Sequence, residues 1–144
     1  MKLVQQLLDR KGDEIISIAG DASVFDAIKL MADHTVGSLL VMEGDNLKGI
    51  VTERDYARKV ILAGKSSRQT PVREIMTTAV LCAKLEQSVE QCLALMTDKR
   101  IRHLPVADGG KVVGLVSIGD LLKEIIAEQQ FIIEQLEHYI AGQV

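Results

Sequence analysis

The sequence contains an internal repeat, and this repeat restricts the possible folds more than any other feature. Shifting the chain by 65 positions aligns residues 17–62 with a later segment without a gap. A self-match of this length predicts two copies of one fold unit. Identical residues in register include Ser23/Ser88, Val24/Val89, Leu30/Leu95, Met31/Met96, Asp33/Asp98, Leu39/Leu104, Val41/Val106, Gly44/Gly109, Gly49/Gly114, Val51/Val116 and Asp55/Asp120.

Each copy carries the same order of apolar patterns. A short apolar stretch is followed by a segment with helical spacing, for which Ser23 and Ser88 are candidate N-caps. Two strand-like runs then flank a turn, EGDN in the first copy and DGG in the second. A second helix starts at Thr52 or Ser117. We therefore expect an α/β (α+β) fold of two β-α-β-β-α units, whose helices cover one face of a small sheet.

The repeat and the breaks between patterns predict four segments. Residues 1–62 form the first unit with an N-terminal helix, 63–71 a linker (AGKSSRQTP), 72–127 the second unit and 128–144 a C-terminal helix. The C-terminal helix has no counterpart after the first copy. Its apolar stripe either pairs with a second copy of the chain or packs onto its own chain. The stripe consists of Phe131, Ile132, Leu136, Tyr139 and Ile140.

Composition and charge limit the possible binding partners and the possible cellular location. The formal net charge of -3 disfavours nucleic acid and anionic membranes as partners. No segment is long and apolar enough for a signal peptide or a membrane span, which indicates a cytoplasmic protein. Cys82 and Cys92 have no metal-ligand spacing and are expected to be small buried hydrophobes, and the three histidines predict no metal site.

A hydroxyl and an acid recur three residues apart at the start of the second helix in each copy. The segments are GIVTERD, residues 49–55, and GLVSIGD, residues 114–120. Asp55 and Asp120 could accept hydrogen bonds from ribose hydroxyls, while Thr52 or Ser117 and free backbone N–H groups could meet a phosphate. The same spacing is the capping-box pattern, so a purely structural role stays open.

A basic cluster, KRIRHLPV at residues 99–106, lies in the second copy only. It suggests an anion site, although Lys99 and Arg100 could equally complement the C-terminal end of a helix dipole. The positions of Arg102 and His103 are taken by Gly37 and Ser38 in the first copy, so the copies present different surfaces. No glycine-rich phosphate loop and no nucleophile with a neighbouring base is present, which argues against an enzyme.

These motifs give the chain a specific resemblance over about residues 3–127. The pattern G-h-h-[TS]-x-x-[DN], found twice with [RH]-x-[LP]-V before it, resembles a tandem pair of CBS (cystathionine-β-synthase) domains, a Bateman module. The resemblance implies two units around a pseudo-two-fold axis with two adenine-nucleotide clefts between them. One cleft would combine Thr52 and Asp55 with Met76, Thr77, Val80, Arg102, His103 and Pro105. The other would combine Ser117 and Asp120 with Ile16, Ser17, Ile18 and Ser38.

The resemblance also implies a function. We expect a non-catalytic regulatory module that binds an adenine nucleotide, with AMP as the first candidate and NAD or ATP as the others, that forms a homodimer and signals to a separate regulated protein. Arg54 would assist a phosphate, whereas Gly119 stands at the equivalent position in the second copy. The alternative is a structural or protein-interaction module whose nucleotide clefts are vestigial.

Overall fold

The two copies fold into two small sheets with flanking helices. The computed structural model describes residues 2–12 and 14–142. In the first copy, α1 (Val4–Lys11) precedes β1 (Ser17–Ile18), α2 (Val24–His34), β2 (Ser38–Glu43), β3 (Asn46–Thr52) and α3 (Glu53–Tyr56). A π-helical turn (Ala57–Ile61) and a 3-10 turn (Val72–Glu74) follow. The second copy contains β4 (Ala83–Lys84), α4 (Val89–Lys99), β5 (His103–Asp108), β6 (Lys111–Ser117) and α5 (Ile118–Ala141).

Both sheets have the same strand order, as expected for two copies of one unit. The orders are β1-β2-β3 and β4-β5-β6. β1 is parallel to β2, β4 is parallel to β5, and β2 is antiparallel to β3. The hairpin turns use glycines with positive φ, 61° at Gly44 and 58° at Gly109, a conformation that a side chain would strain. The predicted mixed α+β fold of two repeated units is confirmed.

The predicted N-caps explain where α2 and α4 begin. The Ser23 hydroxyl accepts a hydrogen bond from the Asp26 N–H at 3.1 Å, and the Ser88 hydroxyl accepts one from the Gln91 N–H at 3.0 Å. Each bond satisfies one of the backbone donors that a helix start leaves unpaired. Both helices end at a left-handed residue, Thr35 or Arg100. The repeat therefore extends to both ends of these helices.

The structural units differ from the predicted segments at the N-terminal helix, at the 3-10 turn, at the linker and at residues 109–113 of the second copy. One unit comprises Glu14–Leu81 and Gly109–Val113, and is called here the first-copy unit. The second-copy unit comprises Met1–Asp13, Cys82–Asp108 and Gly114–Val144. The N-terminal helix thus packs with the second copy, although we predicted it in segment 1–62. Likewise, the 3-10 turn packs with the first copy, although we predicted it in segment 72–127.

Backbone hydrogen bonds and glycine contacts explain why α1 packs with the second copy and the 3-10 turn with the first. The Val4 N–H donates to the Gln87 carbonyl in the second-copy unit, and the Val72 N–H donates to the Ala22 carbonyl in the first-copy unit. A Cβ at Gly114 would lie 2.8 Å from Leu8, and a Cβ at Gly49 would lie 2.8 Å from the sulfur of Met76. The segment before each copy in the sequence therefore packs against a strand glycine of the other copy.

The segment predicted as a linker, residues 63–71, is a structural part of the first-copy unit. The carbonyls of Ser67 and Thr70 accept hydrogen bonds from the N–H groups of Phe25 and Val24, each 2.9 Å long. The Arg68 guanidinium lies 3.8 Å from the centroid of the Phe25 ring. This segment thus satisfies donors at the start of α2, which a flexible linker does not do.

Each unit has its own apolar core. The first-copy core consists of Val24, Ala27, Met31, Leu39, Val41, Val51, Val60, Val72 and Ile75. In the second-copy unit the buried residues include Val4, Leu7, Val89, Cys92, Met96, Leu104, Val106, Val116 and Leu121. Cys92 is buried as expected, but the expectation was wrong for Cys82, which is exposed just before β4.

The C-terminal helix is not a separate element. α5 runs without a break for 24 residues, so the helix predicted at 128–144 is, as far as Ala141, the second half of the helix that starts at the motif. Residues 143–144 of that prediction lie outside the described residues. Its counterpart α3 has four residues and gives way to the π-helical turn. Within the described residues, no helix is long and apolar enough to cross a membrane.

Candidate functional site

Both hydroxyl–acid motifs form complete capping boxes at a strand-to-helix junction. The Thr52 hydroxyl accepts from the Asp55 N–H at 3.1 Å, while Asp55 Oδ2 accepts from the Thr52 N–H at 3.0 Å. The equivalent distances for Ser117 and Asp120 are 3.1 Å and 2.8 Å. The structural reading of the motif is therefore realised in both copies.

The capping box and ligand binding are chemically compatible. A hydroxyl that accepts one N–H still has its own hydrogen to donate, and a carboxylate that accepts one N–H keeps further lone pairs. The Thr52 and Ser117 hydroxyls can therefore donate to a phosphate or ribose oxygen while they hold the helix. The side chain of Asp55 is 14% exposed and that of Asp120 is 23% exposed, so both carboxylates retain access to solvent.

The backbone donors at the helix starts are less available than the sequence suggested. The Glu53 N–H donates to the Gly37 carbonyl, and the equivalent Ile118 N–H donates to the Arg102 carbonyl. The third N–H of each helix is used by the capping box. The predicted cradle of free N–H groups is thus reduced, and side chains must supply most of the contacts to any phosphate.

A lysine contacts the motif aspartate in each unit, but it comes from a different place. Lys59 lies four residues after Asp55, with its Nζ 3.2 Å from Oδ1, and donates to the Ile75 carbonyl at 2.8 Å. In the second-copy unit the cation is Lys11 of α1, with its Nζ 2.7 Å from Oδ2 of Asp120. The spacing of Asp55 and Lys59 was visible in the sequence, whereas no local pattern connects Lys11 to Asp120.

The charges on the motif helices are reversed between the copies. The repeat aligns Lys59 with Glu124, which is 5% exposed and forms an ion pair with Arg10 of α1. The first copy therefore has a cation on its motif helix, and the second copy has an anion there that is paired with a cation of α1. Sequence reasoning missed both α1 cations because the pairing depends on the exchanged packing of this helix.

The environment of Asp120 and His103 lowers the pKa of both side chains. Burial alone would raise the pKa of Asp120, but hydrogen bonds from Lys11 and from the Ser117 backbone outweigh it, so the pKa lies below its ordinary value. Burial lowers the pKa of His103, and Lys11 and Arg102 add to this effect against the opposing charge of Asp120. At neutral pH Asp120 is therefore an ionised carboxylate, and His103 beside it is a neutral imidazole.

In the first-copy unit, β1 and β2 bring other predicted residues near the motif. Ser38 pairs with Thr52 across the two strands, and Ser17 and Ile18 of β1 pair with Leu40 and Val41. The Ser38 hydroxyl is buried without a hydrogen-bond partner, an arrangement that is rare for a buried polar group. Its neighbour Thr52 is the motif hydroxyl, so an unsatisfied polar atom lies at this end of the sheet.

The remaining predicted residues divide between the two units. Ile16, Arg54, Met76, Thr77 and Val80 belong to the first-copy unit. Thr77 exchanges two backbone hydrogen bonds with Ile50 next to the motif strand. Arg102, His103, Pro105, Ser117 and Asp120 belong to the second-copy unit, where Pro105 is buried and Arg102 is exposed. The predicted combination of residues from both units in each cleft stays a prediction.

Only part of the basic cluster is left for the predicted anion site. Arg100 is the left-handed C-cap of α4, and Lys99 in the last turn lies 3.8 Å from Asp98. These two cations therefore lie where they can stabilise the C-terminal end of the α4 dipole, the alternative that the sequence left open. Arg102 and His103 remain beside the motif, since the backbone carbonyl of Arg102 accepts the Ile118 N–H and the negative charge of Asp120 acts on the pKa of His103.

A cavity of about 350 Å³ in the first-copy unit is lined by none of the predicted site residues, although two of its lining residues are next to Ser38 and Thr52 in the sequence. It is lined by Ile28, Met31, Ala32, Thr35, Val36, Gly37 and Glu53. None of the lining side chains is cationic, and Glu53 contributes a carboxylate. The cavity is therefore poorly suited to a phosphate, and it does not coincide with the residues predicted from the motif.

Fold and site together define a class of protein: paired β-α-β-β-α units in which each copy holds an acid and a hydroxyl at a strand-to-helix junction. The family model of the CBS domain matches residues 8–61 and 72–127, and the chain belongs to this family. Paired CBS domains are generally regulatory modules that bind adenosine-containing ligands. No catalytic family is indicated.

Proteins with similar sequences or structures come from a plant and from bacteria. The mitochondrial CBS domain-containing protein CBSX3 of Arabidopsis thaliana is 42% identical over 85% of this chain, which spans 62% of that relative's length. A CBS-domain protein from Burkholderia ambifaria is 53% identical with a TM-score of 0.86, covering 89% of this chain and 96% of that one. Because CBSX3 is mitochondrial, a cytoplasmic location for this chain stays a prediction.

One similar solved structure carries ligands. The CBS domain pair of protein MJ0100, in complex with 5′-methylthioadenosine and S-adenosyl-L-methionine, is 27% identical with a TM-score of 0.76. The match covers 89% of this chain and 98% of that one. Both ligands of MJ0100 contain adenosine.

Proposed function

We propose that this chain is a non-catalytic regulatory module that binds an adenine nucleotide through its hydroxyl–acid motifs and signals to a separate protein. Asp55 and Asp120 accept the ribose hydroxyls, and Thr52 and Ser117 donate to ribose or phosphate oxygens. AMP is the first candidate, with ATP and NAD next. The alternative, an interaction module with vestigial sites, requires that the capping boxes have no further role.

The observation that carries the proposal is the unused hydrogen-bonding capacity around the motifs. In both copies the motif carboxylate is held by a backbone N–H and a lysine, yet remains partly exposed. In the first-copy unit, the unpartnered Ser38 hydroxyl lies next to Thr52. A structural cap needs neither a partly exposed carboxylate nor a buried hydroxyl without a partner, whereas a ribose offers donors and acceptors to both.

The two motifs differ in what a ligand meets. Beside Asp120 lie Lys11, Arg102 and a neutral His103, which favour a phosphate group. Beside Asp55 lies Lys59, and the first copy has no cation that corresponds to Arg102, because Gly37 and Ser38 stand at the positions of Arg102 and His103. We therefore expect the second-copy motif to prefer nucleotides over adenosine more strongly than the first-copy motif does.

Isothermal titration and thermal-shift measurements test the proposal with AMP, ADP, ATP, NAD, NADH, S-adenosylmethionine and adenosine. The informative variants are Asp55→Asn and Asp120→Asn, because an asparagine oxygen can still accept the capping N–H but the negative charge is lost. Bound ligand raises the melting temperature of the wild type by mass action. We expect at least one variant to lose most of this shift while its ligand-free stability changes little.

Ser88→Ala is the matched control, because it removes a helix cap that belongs to no motif. It should lower stability and leave nucleotide affinity unchanged. A wild type that binds none of the ligands at millimolar concentration, or Asp→Asn variants that bind as well as the wild type, would instead favour the interaction-module alternative.

A further inference from the structure

α5 presents an exposed apolar seam with coiled-coil spacing. Residues at 122, 126, 129, 133, 136 and 140 are separated alternately by four and three positions, which keeps them on one side of a helix. The a positions are Ile126, Ile133 and Ile140, and the d positions are Leu122, Gln129 and Leu136. Apart from Gln129 these are large apolar side chains, and their exposed fractions range from 43% at Leu122 to 67% at Ile140.

The opposite side of α5 is the side that its own unit covers. Leu121 and Glu124 are buried, and Ile125 is half-buried, where the helix packs near α4 and α1. From residue 129 to 142 every described side chain is exposed. The second half of the helix therefore projects from its unit with an apolar seam and no covering element among the described residues.

The flanking positions indicate what covers the seam. On one flank, the g positions are apolar: Ile125, Ile132 and Tyr139. On the other flank, the e positions are polar: Lys123, Gln130 and Glu137. In an antiparallel pair of identical helices, e positions face e positions and g positions face g positions. In a parallel pair, each e position faces a g position.

Only the antiparallel arrangement matches these flanks. It places Lys123 against the partner's Glu137 twice, by two-fold symmetry, and joins the two apolar flanks through Ile132 at the axis. The same register pairs Leu122 with the partner's Ile140 and Ile126 with the partner's Leu136. A parallel pair would allow Gln129 to meet its own copy, but it would place Ile132 against a carboxylate and leave Lys123 facing an apolar residue.

We propose that the chain forms a homodimer through an antiparallel two-helix coiled coil of α5, with Lys123 and Glu137 paired between the copies. At 24 residues the helix is about 36 Å long, enough to present this seam of nearly three heptads. The antiparallel direction places each unit at the opposite end of the helix pair, where the projecting half of one α5 lies along the first half of the other. The pairing does not depend on nucleotide binding.

Sedimentation equilibrium of the ligand-free full chain, over micromolar to submillimolar concentrations, measures this dimer. Ile133→Glu inserts a charge into the seam and should weaken the dimer roughly a hundredfold or more. Phe131→Glu is the matched control, because it adds the same charge at an exposed position of the same helix. We predicted Phe131 in the apolar stripe, but the heptad spacing places it at position f, off the seam. It should leave the dimer constant nearly unchanged, and circular dichroism should show that both variants remain folded.

Charge reversal tests the direction of the helices. Lys123→Glu or Glu137→Lys alone should weaken the dimer roughly tenfold, because two attractive pairs become repulsive. The double variant restores both pairs in the antiparallel arrangement and should return the constant to near that of the wild type. A monomeric wild type, equal effects of Ile133→Glu and Phe131→Glu, or a double variant weaker than either single variant would each overturn the proposal.

Discussion

The strand glycines Gly49 and Gly114 occupy equivalent positions, yet alanine should affect them unequally. A Cβ at Gly49 would lie 2.7 Å from the Thr77 carbonyl oxygen and 2.8 Å from the sulfur of Met76. A Cβ at Gly114 would meet only the methyl groups of Leu8, at 2.8 and 2.9 Å. The first contact involves backbone, and the second involves the end of a flexible side chain.

The backbone at Gly49 has little freedom to move away. Thr77 and Ile50 exchange two hydrogen bonds, of 3.0 and 2.9 Å, directly beside the glycine. Relieving the clash would lengthen at least one of them, at about 1 kcal/mol, in addition to about 1–3 kcal/mol for overpacking. Against this, alanine reduces the entropy of the unfolded chain, which stabilises by about 0.4–1 kcal/mol. We expect Gly49→Ala to lower the free energy of unfolding by about 2–3 kcal/mol.

At Gly114, Leu8 can change rotamer, and the same gain from the unfolded chain offsets most of the overpacking. We expect Gly114→Ala to lower the free energy of unfolding by less than about 1 kcal/mol. The difference of about 2 kcal/mol corresponds to roughly 4–8 °C in melting temperature. Urea denaturation followed by circular dichroism measures both variants. Equal losses, or a larger loss for Gly114→Ala, would refute the distinction between backbone and side-chain contacts.

Three further predictions concern the caps, the buried ion pair and acid stability. Ser23→Ala and Ser88→Ala should each lower the free energy of unfolding by about 1 kcal/mol in urea denaturation, and no loss in either would contradict the capping role. Arg10→Ala leaves the buried Glu124 without its ion-pair partner and should destabilise more than Glu124→Gln does, whereas equal losses would argue against the pair. Since burial lowers the pKa of His103, the unfolded chain takes up the proton first, so stability should fall as pH decreases from about 6.5 towards the lower folded pKa. Replacing His103 with glutamine should reduce the dependence of the free energy of unfolding on pH in this range. An unchanged dependence would exclude His103 as its cause.

Local patterns made much of the fold predictable. The N-caps Ser23 and Ser88 and the glycine turns depend on residues within three or four positions of one another. The repeat then indicated that both copies share one order of helices and strands, since a pattern found twice in register constrains each copy. The hydroxyl–acid motifs were located correctly at strand-to-helix junctions for the same reason.

Long-range packing made the rest unpredictable. The exchange of α1 between the copies depends on the contact of Leu8 with Gly114, and the ion pair of Lys11 with Asp120 follows from it. Periodicity and capping rules describe residues that are close in the sequence, so they cannot predict contacts between distant segments. A signal was nevertheless present, because a glycine in a strand interior often marks a close approach by another segment, and the repeat contains one at the same position in each copy.

The lysine that contacts Asp120 should make the second-copy motif select for a phosphate. Lys11 donates to Oδ2, the same oxygen that accepts the Ser117 N–H, and so competes with a ribose hydroxyl for that carboxylate. If a phosphate is present, however, the cation can contact it instead and release the carboxylate to the ribose. Lys11→Met should therefore tighten the binding of adenosine and weaken the binding of AMP, each by about threefold, since the lysine is partly exposed and screened.

Calorimetric titration of both ligands in an Asp55→Asn background isolates the second-copy motif. The ratio of the adenosine and AMP dissociation constants is the decisive quantity, because a general loss of stability would change both constants in the same direction. Asp120→Asn in this background should reduce the affinity for both ligands. If Lys11→Met changes both constants by the same factor, the lysine supports the fold of α1 and has no part in selecting the ligand.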